Sequence, residues 1–322
     1  MRQALLRWLP QILLLALLAL LLGWLGHNVL ENMRERGIRA GFGFLLEPAG
    51  FEIGESLFDY DASLPLWRAF LTGVMNTLRV ALPASVIATL LGTLIGLGRL
   101  ARHPVPRRLC GMLVETLRNI PLLLQLLMCY FALTSLLPDA ADAISPLPGS
   151  FLSKSGLFLP AWHCTPQCGW DMPQVAGFGI EGGWSLTPEY LAVLIALSLY
   201  SAVFIAEIVR GGILSVSSGQ IAAGNALGLT RLQVLWHITL PLALRAIVPA
   251  LTNQYLNLTK NSSLAVAIGY PELVSVANTA LNQSGRAFEC IVVVMAVYLS
   301  LSLITAALMN LYNARVALRG AA

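Results

Sequence analysis

The sequence has 322 residues, of which 57% are hydrophobic and 11% charged. Soluble domains carry about 25% charged residues, so this composition excludes an ordinary cytosolic enzyme and any disordered or fibrous chain. It points instead to a polytopic membrane protein with room for about six spanning helices. The net charge of +4 comes from Lys and Arg residues that form no basic run, which argues against a nucleic-acid partner. The five cysteines are too few and too scattered for a disulfide scaffold.

The first apolar stretch, Trp8 to Leu25, follows Arg2 and Arg7. A signal peptide is the competing reading, but the core is about 18 residues long. No small-x-small cleavage site follows; the next residues are Gly26-His27-Asn28-Val29. An uncleaved signal-anchor helix is expected. Further spans are expected at about 71–97, 109–137, 189–209, 243–268 and 288–312, each with the roughly 20 apolar residues that a crossing needs. Polar residues interrupt the 243–268 segment from Asn253 onward. The expected fold class is therefore all-α integral membrane with about six transmembrane helices.

With the N-terminus inside, one side would hold Arg99, Arg102, Arg107, Arg108, Arg210, Arg231, Arg245, Arg315 and Arg319 besides Arg2 and Arg7. The other would hold Arg34, Arg36, Arg39, Arg68, Lys154 and Arg286. The excess of cations on short inner loops favours this orientation, with both termini cytoplasmic. Nearly all acidic residues then lie outside; Glu115 and Glu207 are the exceptions. Two outer segments are long: 27–70, with Glu47, Glu52, Glu55, Asp59 and Asp61, and 138–188, rich in Pro, Gly and Trp. Loops of that length are usually functional or disordered.

The inner loop 219–241 is moderately apolar but carries Arg231 and His237, so it does not read as a span. It reads as two short helices. Small residues at Ala222, Ala223, Gly224 and Ala226, following Gly219 and Gln220, let a partner backbone approach closely. Gly228 suits the left-handed position that ends a helix. Thr230 and Gln233 make a capping-box pattern for the second helix, and Pro241 is expected to stop it. Such a unit either plugs into a groove on another protein or lies on the membrane surface as an amphipathic connector.

Gly228, Ile238, Leu240 and Pro241 fit the spacing of the "EAA" loop of ABC importer permeases. Four further stretches are similar to the polar amino-acid uptake branch of that family: Gly73 with Asn76-Thr77-Leu78, Glu115 with Arg118 through Gln125, Ala206 through Ile213, and Leu256 through Leu264. The segment from Gly41 to Leu45, followed by Ala49 to Gly54, resembles the general L-amino-acid permeases more narrowly. The resemblance covers about 40–135 and 189–312. It implies a five-helix permease core behind the signal-anchor helix, in the bacterial inner membrane. It also implies three partners: a dimer of ATP-binding subunits docking on the loop, a periplasmic amino-acid-binding protein, and a second, related permease chain. ATP and Mg would belong to the ATPase, leaving no cofactor in this chain. The glutamate that names the loop falls on Ala222 here, so coupling would rest on shape and on neighbours such as Gln220 or Arg231. An exposed ion pair contributes only about 0–1 kcal/mol.

Ionisable groups at span depth are costly and mark candidate sites. Glu115 and Arg118 are three residues apart on one helix face, as are Glu207 and Arg210. Each pair reads either as an ion pair or snorkelling at a helix end or as a gate near the inner mouth. Gln125 joins this list through the resemblance. Lys260 lies in the polar run from Asn253 to Ser263, a face that lipid does not tolerate. It could meet a substrate carboxylate, with Asn257, Thr259 and Asn261 offering hydrogen bonds; polar glue between helices is the plainer reading. On the outer side, a Cys164–Cys168 disulfide is expected in an oxidising compartment. Metal binding by His163 and both thiolates lacks an obvious fourth ligand. Trp162, Trp170 and Trp184 form either an interfacial cluster or a protein-facing surface.

No G-x-x-x-x-G-K-[ST], H-E-x-x-H or G-x-S-x-G pattern occurs, so no catalytic residues are expected. The chain divides into a start and anchor helix at 1–26, an outer segment at 27–70, and the first two core helices at 71–137. An outer insertion at 138–188 and the last three core helices with the 219–241 loop at 189–322 complete it. The alternative to the importer reading is an ion-coupled secondary transporter without an ATPase.

Overall fold

A computed structural model describes residues 2–35, 41–164, 168–177 and 179–318. Its helices are α1 (Arg2–Glu35), α2 (Leu66–Arg99), α3 (Pro104–Asn119), α4 (Leu122–Leu136), α5 (Pro188–Leu214), α6 (Ser218–Ala226), α7 (Arg231–Val234), α8 (Leu240–Asn261), α9 (Leu273–Ser284) and α10 (Ala287–Leu318). Among the described residues five helices are long and apolar enough to cross a membrane, or six if the bent pair α3–α4 is one span. The mean hydropathy of the apolar stretch Leu9–Asn28 is 2.2, and none of it is buried in the chain.

The structure differs from the sequence expectation at the third span. The 109–137 stretch is broken, and α3 and α4 meet at 103°. The cause is local: Ile120 precedes Pro121 and is extended, with φ −93° and ψ 125°, because the proline ring disfavours α-helical geometry one residue back.

The centre of the bundle is the packing of α2 on α5. Small residues recur every four positions on α2, at Ala84, Ala88, Gly92 and Gly96, and all four are buried. A Cβ at Gly92 would lie 2.7 Å from the carbonyl oxygen of Ala202, and one at Gly96 2.8 Å from that of Ala206. This spacing lets two helix backbones close on each other where apolar burial gives no drive. α4 and α8 flank α5, and their buried residues Leu122, Leu126, Ala243, Ile247 and Leu258 extend the same core.

A second core, at the end of the bundle where α2 begins, joins Phe44, Phe70, Leu273, Val276 and Cys290. The Gly73-Asn76-Thr77 motif builds it. A Cβ on Gly73 would lie 2.9 Å from Leu273 Cα. Asn76 donates to the carbonyls of Glu55 at 2.8 Å and Pro271 at 2.9 Å, and Thr77 Oγ1 accepts from the Leu273 N–H at 3.3 Å.

The outer insertion holds short strands that composition did not announce: β1 (Phe151–Ser153), β2 (Gly156–Leu159), β3 (Ala161–Cys164), β4 (Cys168–Asp171), β5 (Gln174–Ala176), β6 (Gly179–Glu181) and β7 (Trp184–Leu186). They pair antiparallel as β1–β2–β7, β3–β4 and β5–β6. In β3–β4, Trp162 faces Trp170, and the backbone register sets Cys164 opposite Cys168. The side chains of His163, Cys164 and Cys168 lie outside the described residues.

Candidate functional site

The loop between α5 and α8 folds as α6, a tight turn and α7. Ser217 caps α6, and Gly228 takes φ +75° in the turn. Thr230 and Gln233 form both hydrogen bonds of a capping box. Gly224 is buried, and a Cβ there would lie 2.5 Å from Ile238 Cδ1. That absent side chain lets α6 pack on the following turns. Pro241 does not stop the second helix, as the sequence reading expects. It sits in the first turn of α8 after a π-helical turn over Leu235–Thr239. A π turn already leaves backbone groups without their ordinary i−4 partner, so the missing proline N–H costs little there. α7 therefore runs into α8, and only α6 is a separate short helix.

The unit packs on itself through Gly224 and Val234, with Ile221, Leu229 and Ile238 half-buried around them. Gly219, Gln220, Ala222, Ala223 and Arg231 are exposed. So are the large apolar side chains Leu227 (81%), Leu232 (65%) and Trp236 (60%). Ala222, at the glutamate position of the loop, presents only a methyl group to this surface.

On α8, Asn253, Asn257 and Lys260 are exposed four and three residues apart, hence on one face. The neighbouring candidates are used locally. Thr259 donates to the Tyr255 carbonyl at 3.0 Å, and Asn261 is half-buried at the helix end. A 200 Å³ cavity between α2, α8 and α10 touches Tyr255, Thr259 and Thr305.

The paired charges arrange themselves differently from their spacing. Glu207 binds Arg210 at 3.0 Å as expected, and it also pairs with Arg99 of α2 and, at 3.8 Å, with Arg118 of α3. Glu115 makes no ion pair with Arg118; it is exposed. Gln125 is buried and donates to the Leu117 and Ile120 carbonyls at 2.7 and 3.0 Å. Its amide closes the α3–α4 bend and has no donor left for a passing solute.

Sequence reasoning missed a polar site at the end of the bundle where α5 begins. Glu55 pairs with Arg79 at 2.9 Å, the two side chains being 11% and 10% exposed. The Thr187 hydroxyl donates to Glu55, and the Arg79 guanidinium lies over Tyr190 at 4.8 Å and Trp184 at 5.9 Å. Burial raises the Glu55 pKa to about 7 against the pull of Arg79, and nearby Glu189 adds to the rise. A 380 Å³ cavity opens beside it, lined by Glu52, Glu55, Glu189, Thr187 and Ser275. Among the described residues no cluster of His, Cys, Asp and Glu could hold a metal ion.

Residues 88–318 match the family of binding-protein-dependent transport system inner membrane components. The chain belongs to that family. The permease is 38% identical over 365 residues to the general L-amino acid transport system permease protein AapQ of Rhizobium johnstonii, covering 96% of this chain and 91% of AapQ. It is 33% identical over 396 residues to the glutamate/glutamine/aspartate/asparagine transport system permease protein BztB of Rhodobacter capsulatus, covering 96% and 93%. These relatives place it among the amino-acid ABC transporter permeases. Its fold matches the crystal structure of an amino acid ABC transporter with histidines at TM-score 0.58 and 24% identity, over 77% of this chain and 94% of that one. The permease fold is thus a bundle of crossing helices behind an N-terminal apolar helix.

Proposed function

We propose that this permease is a membrane-spanning subunit of a binding-protein-dependent ABC importer of polar L-amino acids, broad in range, working by alternating access. A dimer of ATP-hydrolysing subunits docks on the 219–241 loop, and a loaded periplasmic binding protein docks on the face formed by the 27–70 and 138–188 segments. A related permease chain completes the path. ATP and Mg stay on the ATPase, and this chain contributes no catalytic residue. It lies in the bacterial inner membrane with both termini cytoplasmic. The 71–137 and 189–322 parts form the moving core, and 1–26 is its anchor.

One observation carries the coupling reading: the loop buries Gly224 and Val234 and leaves the large apolar side chains Leu227, Leu232 and Trp236 exposed. Large apolar side chains left exposed in a unit that packs on itself suit a docking site. With Ala222 at the glutamate position, shape and the neighbours Gln220 and Arg231 hold the ATPase. The names of AapQ and BztB support amino acids as substrates. The α8 face of Asn257 and Lys260 supplies groups that a zwitterion uses in a water-filled path, namely a cation for the carboxylate and amide groups for hydrogen bonds. Membership of this family disfavours an ion-coupled secondary transporter.

The test is co-expression with candidate partner permease, ATPase and binding-protein chains, followed by ATPase assay in lipid. The expected result is that an ATPase co-purifies and that binding protein loaded with glutamate, glutamine or aspartate raises its rate. If no ATPase associates with the paired permeases, the coupling reading fails.

A further inference from the structure

Four charged side chains from three helices meet at the coupling-loop end of the bundle. Arg210 donates Nε to Glu207 Oε2 at 3.0 Å, with its Nη2 at 3.0 Å from the same oxygen, while Oε1 faces Arg99 and, at 3.8 Å, Arg118. Three guanidiniums thus share one carboxylate and leave a net charge of about +2. Each guanidinium has five N–H donors, against roughly four acceptor positions on a carboxylate. The surplus donors have a way out, because the side chains of Arg118 and Arg210 are 45% and 34% exposed. Glu115, the acid on α3, is exposed and makes no ion pair among the described residues.

The helix that carries Arg118 tells at what depth this cluster lies. Val105, Leu109 and Met112 are exposed at spacings of four and three along α3, and Val114, facing away from them, is buried. Arg108 and Glu115 lie between those two faces and are exposed. An amphipathic helix with an exposed apolar stripe and a charged edge lies in the plane of a membrane interface. Its 103° turn into α4 fits that placement. Arg118 is then at the level of lipid headgroups.

We propose that Arg99, Arg118 and Arg210 bind the phosphate of an anionic phospholipid headgroup in the leaflet on the coupling-loop side. Glu207 is a positioning residue that spreads the three guanidiniums around one point. Arginine suits this ligand because its planar fork matches phosphate oxygens two at a time. Bound lipid would join α2, α3 and α5 where each ends at the membrane surface. This proposal does not depend on the transported substrate.

The test is native mass spectrometry of the full chain, in its complex where one forms, released from nanodiscs of equimolar phosphatidylglycerol and phosphatidylcholine. Wild type should retain phosphatidylglycerol in preference. Arg118→Gln should lower that preference about fivefold, Arg118→Lys should keep part of it, and Arg107→Gln, on the same helix but outside the cluster, should leave it unchanged. Equal retention of the two lipids by wild type would overturn the proposal even if no variant folds. Equal losses in Arg107→Gln and Arg118→Gln would also overturn it, marking diffuse attraction. Displacement by millimolar inorganic phosphate would assign the cluster to soluble anions, and displacement by L-glutamate would assign it to the transport path. Either result removes the lipid.

Discussion

Arg79 and Glu55 stand 24 positions apart, yet they form an ion pair with both side chains largely buried. Two charges this far from water are stable only together, so losing one partner costs more than losing both. Arg79→Ala should destabilise the permease by about 3–5 kcal/mol, and the Arg79→Ala/Glu55→Ala double variant by less than the sum of the singles. Thermal unfolding in nanodiscs measures the cycle. The pH dependence follows from the raised Glu55 pKa. The folded state holds that proton more tightly than the unfolded chain does. The contribution of Glu55 to stability is therefore full below about 4.5 and declines as pH rises towards about 7. Glu55→Gln should flatten that slope. Gly92 is a contrasting case in which the missing side chain matters. A Cβ there would lie 2.7 Å from a backbone oxygen on α5 that cannot move aside, so Gly92→Val should cost about 1–3 kcal/mol.

At the scale of elements, the α6–α7 unit is built from short-range instructions. Its caps and the φ +75° glycine depend on residues within two turns, and the buried Gly224 on Val234 and Ile238 further along the same loop. Thr230→Ala should weaken this unit by about 1 kcal/mol, seen as faster amide exchange in α7 only. Leu232→Glu should leave the fold intact, because Leu232 is 65% exposed. It should abolish ATPase co-purification, and a retained ATPase would remove this face from the docking surface. The capping box and the turn glycine were visible in the sequence. The continuation of α7 through Pro241 was not, because a stop signal was read without the π turn that accommodates it. The α3–α4 break had its signal in Pro121, but the apolar residues of 109–114 before it and the long apolar run after it masked it. In the β3–β4 hairpin, register sets Cys164 opposite Cys168. Alkylation before and after reduction should label two more thiols after reduction if the expected disulfide forms.

For the whole molecule, the exposed face of Asn253, Asn257 and Lys260 on a membrane-crossing helix is the open question. Lipid does not satisfy such groups, so this face needs water or another chain. Asn257→Cys in the assembled transporter should react with a membrane-impermeant thiol reagent and be protected by transported amino acid. A cysteine that stays unreactive in every state would assign this face to packing between chains.

The sequence alone determined the membrane class, the positions of the apolar stretches other than the broken 109–137 one, the caps and turn of the 219–241 loop and the family resemblance. All of these are encoded in hydropathy and short-range hydrogen bonding, which residues within a turn or two of each other decide. The tertiary structure decided which charges meet. Glu207 gathers Arg99 and Arg118 from two other helices, Glu115 is left exposed, and Gln125 is consumed by the bend. Glu55 meets Arg79 where the 41–65 segment lies against α2, Asn76 holding the Glu55 carbonyl. A charge within a helix has near neighbours that spacing can list, but its partners across the bundle depend on which small residues let helices approach. For α2 and α5 those residues are Gly92 and Gly96.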